Sequence, residues 1–294
     1  MGEKMKIVIA CICAVILACA SCASNPDSET GNGSRAGRST GGRSGVSAAG
    51  GGAGLIPVEM KAKVLFGDGT LDEYTESEYD ETFSTLREQR RYSASGSILE
   101  HIVYTYIEDK NLVKVKTTRD ADDQIKNMVE YAYDGQGFKV SETLLTKDRK
   151  LVSSYSYVYD ADGKLARRVF ANNAGVKMAE TVYSYDSNGN AISTETQSAS
   201  GQIINTTHSQ YNSDNYLTNQ KVLNPGGQTT ASTAFAWHSG RETKVEQFGP
   251  DGTLQMRITN EYGPDGELLK KTIEDIRGST IQLLTYEYEF KPVK

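Results

Sequence analysis

The chain has 294 residues and a formal net charge of −6, and from residue 57 onward it carries 27 Lys and Arg against 35 Asp and Glu. An acidic body without clustered basic residues excludes a nucleic-acid surface, because neutralising phosphates requires Lys and Arg gathered on one face. All four cysteines, Cys11, Cys13, Cys19 and Cys22, fall within the first 22 residues, which excludes disulfides and thiolate metal sites from the remainder.

Lys4 and Lys6 precede an apolar run from Ile7 to Ala18, and small residues follow, which is the three-part layout of an export signal. The run has 12 residues, against the roughly 20 that a spanning helix needs. Ile16-Leu17-Ala18-Cys19 resembles the lipobox of bacterial lipoproteins, in which the cysteine is acylated and becomes the first residue. The resemblance implies a signal peptide over 1–18, a lipid on Cys19 with Cys22 as the alternative, and a lipid bilayer as partner. It places the protein in the cell envelope, at the outer membrane or its periplasmic face. The competing reading is an ordinary secretory signal cut after Ala18-Cys19-Ala20. Each buried CH₂ of an acyl chain contributes about 0.8 kcal/mol, so two or more chains hold a protein on a membrane without any helix.

The next segment, 19–56, is rich in Gly, Ser, Ala and Arg and has almost no large apolar residue, so it cannot bury enough surface to fold. The 34 residues from Ala23 to Ile56 would form a tether with an r.m.s. span of roughly 30 Å. Gly37-Arg38-Ser39-Thr40-Gly41 matches a serine-hydrolase pattern, but no strand precedes it and no helix follows, so it reads as chance.

From residue 57 to 294 the chain is an array. Aromatic residues stand at Tyr79, Tyr106, Tyr133, Tyr159, Tyr185, Tyr211, Trp237, Tyr262 and Tyr288, at intervals of 25 to 27. Such a period overrides length as a guide to architecture. A turn signal follows most of these residues, as in Asp160-Ala161-Asp162-Gly163 and Asp186-Ser187-Asn188-Gly189, and matches a type I turn closed by a left-handed glycine. A second signal, usually Gly, stands ten residues before each aromatic: Gly69, Gly96, Gly175, Gly201, Gly227, Gly252 and Gly278, with Asp123 and Arg149 as the exceptions.

Two turns in about 26 residues leave two strand-length segments per unit. Alternation agrees, since Leu151, Ser153, Tyr155, Tyr157 and Tyr159 share one face, while Gln255, Arg257, Thr259 and Glu261 form a solvent face. The expected fold is all-β: an extended antiparallel meander of about nine hairpin repeats, some 18 strands, with essentially no helix outside the signal.

The Tyr-Xaa-Tyr-Asp-Xaa-Xaa-Gly pattern at Tyr131 to Gly137, Tyr157 to Gly163 and Tyr183 to Gly189 is similar to the YD repeats of RHS proteins. The resemblance implies a wide antiparallel hairpin sheet. The Arg that commonly follows the family's Gly is replaced by Phe138, Lys164 and Asn190.

No enzyme, cofactor or metal site is expected. His101, His208 and His238 stand at different repeat positions, and no His-Glu-Xaa-Xaa-His pattern occurs. Asp160/Asp162 and Asp120/Asp122/Asp123 read as turn caps and solvated loop charge. A row of aromatic rings could instead receive a protein or a glycan, with Trp237, Tyr133, Tyr159, Tyr185, Tyr211 and Tyr262 as candidate binding residues. The weightier reading has these rings building the sheet. The resulting expectation is an envelope lipoprotein with a structural or interaction role, and the alternative is an outer-membrane β-barrel with transport function. A third reading, a carbohydrate-processing enzyme, would need an inward pair of carboxylates.

Overall fold

A computed structural model describes residues 55–292, in which all regular secondary structure is β. The signal, Cys19, Cys22 and the tether lie outside the described residues, apart from the last two tether positions. The first half of the array gives β1 (Leu55–Phe66), β2 (Leu71–Tyr79), β3 (Leu86–Ser93), β4 (Ile98–Tyr106), β5 (Val113–Arg119), β6 (Ile125–Tyr133), β7 (Lys139–Thr146), β8 (Leu151–Tyr159) and β9 (Leu165–Ala171). The second half gives β10 (Lys177–Tyr185), β11 (Ala191–Ser198), β12 (Ile203–Tyr211), β13 (Leu217–Leu223), β14 (Thr229–His238), β15 (Arg241–Phe248), β16 (Leu254–Tyr262), β17 (Leu268–Asp275) and β18 (Thr280–Pro292).

The turns after the aromatic residues are built as their sequence suggests. Asp160 N–H donates to the Lys164 carbonyl at 2.8 Å, Gly163 N–H donates back to Asp160 at 3.1 Å, and Gly163 has φ 78°. Asp160 Oδ1 accepts the N–H groups of Asp162 at 2.9 Å and Lys164 at 2.8 Å, which satisfies donors the ladder cannot reach. Asp120 does the same for Asp122 and Gln124.

Turn length also explains the uneven period. The turns after Tyr79 and Tyr106 close four residues, between Asp80 and Thr85 and between Ile107 and Leu112. Most others close three, and the one after Trp237 closes only Ser239 and Gly240, between His238 and Arg241. Intervals of 27, 26 and 25 follow directly. In the opposite set of turns, Asp123 and Arg149 adopt φ 59°, so these two residues take the left-handed conformation that glycine supplies elsewhere. Gly278 does not: Ser279 is the left-handed residue there, in a longer turn whose strand pair lacks the usual bulge.

Aspartates capping turns carry a pH dependence. The Asn190 side-chain amide, followed by nearby backbone N–H groups, holds Asp186 below the ordinary carboxylate range, and the Thr253 N–H and hydroxyl do so for Asp251. For Asp80, burial pushes upward, but hydrogen bonds from Thr85, Ser84 and Thr82 outweigh it and hold the group well down. A folded-state value below the unfolded one means the stabilisation is complete above an unfolded pKa of about 3.9 and is lost as pH falls through the folded values. The thermal midpoint should therefore stay level from neutral pH to about pH 5 and fall steeply below about pH 4, as followed by circular dichroism.

The expected meander is present, but it is not extended: it closes on itself. Every strand pairs with its sequence neighbours, and β1 also pairs with β18, from Leu55 opposite Pro292 to Phe66 opposite Gln282, so the 18 strands form a closed antiparallel barrel. The cause lies in β1, which occupies the place of a ninth odd-numbered strand. In most hairpins the aromatic faces one residue and the next is bulged out, as Tyr159 faces Leu165 before Val158 faces Arg167. At the seam, Tyr288 faces Glu59 and Glu287 faces Lys61, leaving Met60 as the bulge. The first and last strands therefore complete a repeat with no peptide link, and closure removes both sheet edges.

The aromatic face, which also contains Ser77, Tyr104, Thr118, Thr194, Gln220 and Ile258, holds most of the buried side chains. Exposed strand residues such as Glu76, Glu78, Lys126, His208, Lys221 and Glu261 belong to the opposite face. In a closed ring, side chains converge on the concave side, so the aromatic face is the inner wall.

Candidate functional site

At one rim, all nine aromatic residues do the same thing. Each donates a hydrogen bond to the backbone carbonyl twenty residues earlier: Tyr79 to Glu59, Tyr106 to Leu86, Tyr133 to Val113, Tyr159 to Lys139 and Tyr185 to Leu165. Tyr211 bonds Ala191, Trp237 bonds Leu217 through Nε1, Tyr262 bonds Glu242 and Tyr288 bonds Leu268, and the nine distances span 2.6 to 3.1 Å. The need is local. The β9–β10 ladder ends at Val182 opposite Arg167, so the Leu165 carbonyl has no strand partner on that side and the Tyr185 hydroxyl supplies one.

Trp237 fits the series because its indole N–H reaches the same acceptor. Tyr185→Phe should cost about 1 kcal/mol, the usual net value of one such bond, read as a shift in the urea midpoint.

At four of these turns the residue after the left-handed position covers the next ring, Arg241 over Tyr262 among them. Phe138 lies 4.9 Å from the Tyr159 ring, Tyr216 stacks on Trp237 at 4.9 Å, and Lys164 Nζ sits 5.4 Å above Tyr185. Ring stacking and cation–π contact are thus interchangeable here, which accounts for the variety at Phe138 and Lys164. Of the residues singled out from sequence, Trp237, Tyr133, Tyr159, Tyr185, Tyr211 and Tyr262 all lie in this one rim, with their polar atoms engaged by the wall.

Below the rim, the inner wall carries a second set of equivalent positions: Tyr104, Tyr131, Tyr157, Tyr183, Phe235 and Tyr286 on even strands, facing Lys116, Glu142, Arg168, Thr194, Val245 and Ala62 on odd ones. Further along come hydroxyl and aliphatic residues, including Thr181 opposite Thr196 and Ile258 opposite Ile273. Sequence reasoning identified the alternation but did not single out this mixed aromatic and charged lining.

One lining cluster satisfies itself. Lys139 Nζ pairs with Glu142 at 3.2 Å and lies over the Tyr131 and Tyr157 rings at 5.5 and 5.0 Å, while the Tyr157 hydroxyl donates to Glu142 at 3.2 Å. A second cluster, on β15 to β18 and β1, does not. There Asn260 replaces the aromatic, its Nδ2 donates to the Glu242 carbonyl at 2.9 Å and to Glu242 Oε1 at 3.3 Å, and its buried Oδ1 accepts nothing. Lys271 faces Asn260 across the β16–β17 pair.

The outer face is charged along much of its circumference. Lys61 pairs with Glu76 at 2.9 Å, Arg257 with Glu246 at 2.9 Å and Glu274 at 3.5 Å, and Lys270 with Glu261 at 3.1 Å. His101 bridges Glu88 at 2.7 Å and Asp123 at 3.1 Å. Val152, Val158, Met178, Ile192 and Ile204 are exposed across β8 to β12, where charges are sparser.

No protein-family model and no curated protein matches the chain. Among solved structures, a porin-like protein from Bacteroides uniformis is similar over 79% of this chain and 98% of its own, at 8% identity and TM-score 0.42. A porin-like protein from Bacteroides vulgatus is similar over 80% and 99%, at 10% identity and TM-score 0.28. The TcdB2-TccC3-Cdc42 structure is similar over 76% of this chain, at 17% identity and TM-score 0.34, and the chain spans 15% of that one.

Proposed function

We propose that this chain is a β-barrel of the cell envelope whose lumen admits polar solutes, which is the outer-membrane transport reading. The observation that supports it is the closed 18-stranded wall with an inner face of aromatic, hydroxyl, amide and charged side chains. A closed ring leaves no unpaired strand edge, the condition a β-structure must meet to stand in hydrocarbon. Its expected behaviour is heat-modifiable migration of the full chain from outer-membrane fractions, and permeation of liposomes containing it to small neutral sugars. Absence of both would exclude this setting.

The charged outer face favours a second setting for the same barrel. Lys or Arg at the lipid-facing midplane of a barrel costs roughly 2 to 4 kcal/mol each, and Lys63, Arg90, Lys244 and Arg257 all face outward. In that setting the barrel stands in water and is held at the membrane by the acyl chain on Cys19, with Cys22 as the alternative. Metabolic labelling with a palmitate analogue should then mark the protein, Cys19→Ala should remove the label, and the unacylated mature chain should be soluble without detergent.

A further inference from the structure

We propose that the inner wall between β15 and β1 is a binding site for aliphatic ammonium groups. The inference rests on the reading of an accessible lumen.

The repeat defines what this wall carries elsewhere. The position of Glu59 and Glu242 is occupied by Leu86, Val113, Leu165, Ala191, Leu217 and Leu268 in six other units, and the position of Asn260 by Tyr or Phe in six. Three of the departures, Glu242 on β15, Asn260 on β16 and Glu59 on β1, fall within five adjacent strands, and the others are Lys139, Ser77 and Ser209. Departures from a local rule that gather in one place mark function more often than they mark error.

The chemistry that results is one-sided. Asn260 is only 8% exposed, both of its donated bonds go to Glu242, and its Oδ1 is unpartnered on a face that looks into the lumen. The Glu59 carboxylate has no hydrogen bond or ion pair among the described residues. Burial pushes the carboxyls of Glu59 and Glu242 above the ordinary range, and Lys271, the one cation of the group, acts against that at both. What remains open is therefore hydrogen-bond acceptors with an excess of negative charge. The contrast with Lys139, Glu142 and Tyr157, where every charge has a partner, is direct.

A ligand that only donates and is positive fits this set. A primary ammonium provides three donors and a charge, whereas a hydroxyl of a neutral solute lacks the charge. The nearby Tyr286 ring adds a face for a cation.

Isothermal titration of the full chain with putrescine and with 1,4-butanediol tests this, because the two differ only in carrying ammonium or hydroxyl ends. Putrescine should bind and butanediol should not. Glu59→Gln and Glu242→Gln should each weaken putrescine about tenfold, equivalent to about 1.4 kcal/mol. Lys271→Met should tighten it by removing the resident competitor, an effect that a merely structural role would not give. Glu142→Gln should leave it unchanged. Equal binding of the diol, or putrescine affinity unaffected by all three of the first substitutions in folded protein, would overturn the site. Putrescine binding without liposome permeation would leave the site standing and reject the transport setting, and permeation without putrescine binding would do the reverse.

Discussion

Deletion of residues 55–66 should abolish the cooperative thermal transition of the barrel altogether. Among the described residues β1 is the only link between β2 and β18, pairing through Lys61 to Leu65 on one side and along nearly its whole length on the other. Without it, two long edges are left, and an exposed edge is a template for pairing with other chains. The expected result is loss of a sharp transition by circular dichroism and aggregation on a sizing column. A permuted chain should behave oppositely. Glu289 faces Val58 across the seam, as Asp160 faces Lys164 across a turn. Joining Glu289 to Val58 through Ala-Asp-Gly and opening the chain between Asp162 and Gly163 should preserve a cooperative transition. If the permuted chain failed to fold while the truncated one folded, the seam would not be equivalent to a hairpin.

Parity gives the second large effect. Removing residues 160–185 takes out β9 and β10 and leaves Tyr159 followed by Asp186, so turn and latch stay in phase and 16 strands can still close. Neighbour contacts dominate in such an array, and stability is approximately a sum over units. This deletion should therefore give a folded barrel with a modestly lower midpoint. Removing only residues 160–172 takes out β9 and leaves 17 strands, so the last strand would run parallel to β1. The register in which Tyr288 faces Glu59 then cannot form. Thermal melts of both proteins decide the matter: equal tolerance would mean that closure is not what stabilises the wall.

The strands were legible because the period-two pattern and the turn chemistry agree along the whole array, as at Tyr157 to Gly163. Closure was not legible, for a physical reason. Tyr288 and Glu59 are separated by nearly the whole described chain, and no turn joins them to signal that they pair. Glu59 carries none of the Leu or Val character of its counterparts, which hid the pairing of β1 with β18. The rim latch was half visible: the spacing of the aromatic residues is in the sequence, but the acceptors are backbone carbonyls and leave no side-chain trace. The lumen cluster was missed because Glu242, Asn260 and Lys271 look like ordinary strand polarity until their common face is known. Its only sequence signal is the interruption of the aromatic series two residues before Tyr262.

The seam that completes the ring has a mechanical consequence. Both ends of the described chain, Leu55 and Pro292, leave side by side at the rim of the aromatic latches. A pull on the two ends would load the β1–β18 hydrogen bonds one after another, as in a zipper, whereas a pull between turns at opposite rims would load many together in shear. The barrel should thus yield at low force when held by its termini. Force applied to β1 through the preceding segment would reach the Glu59 side of the lumen before any other part of the wall.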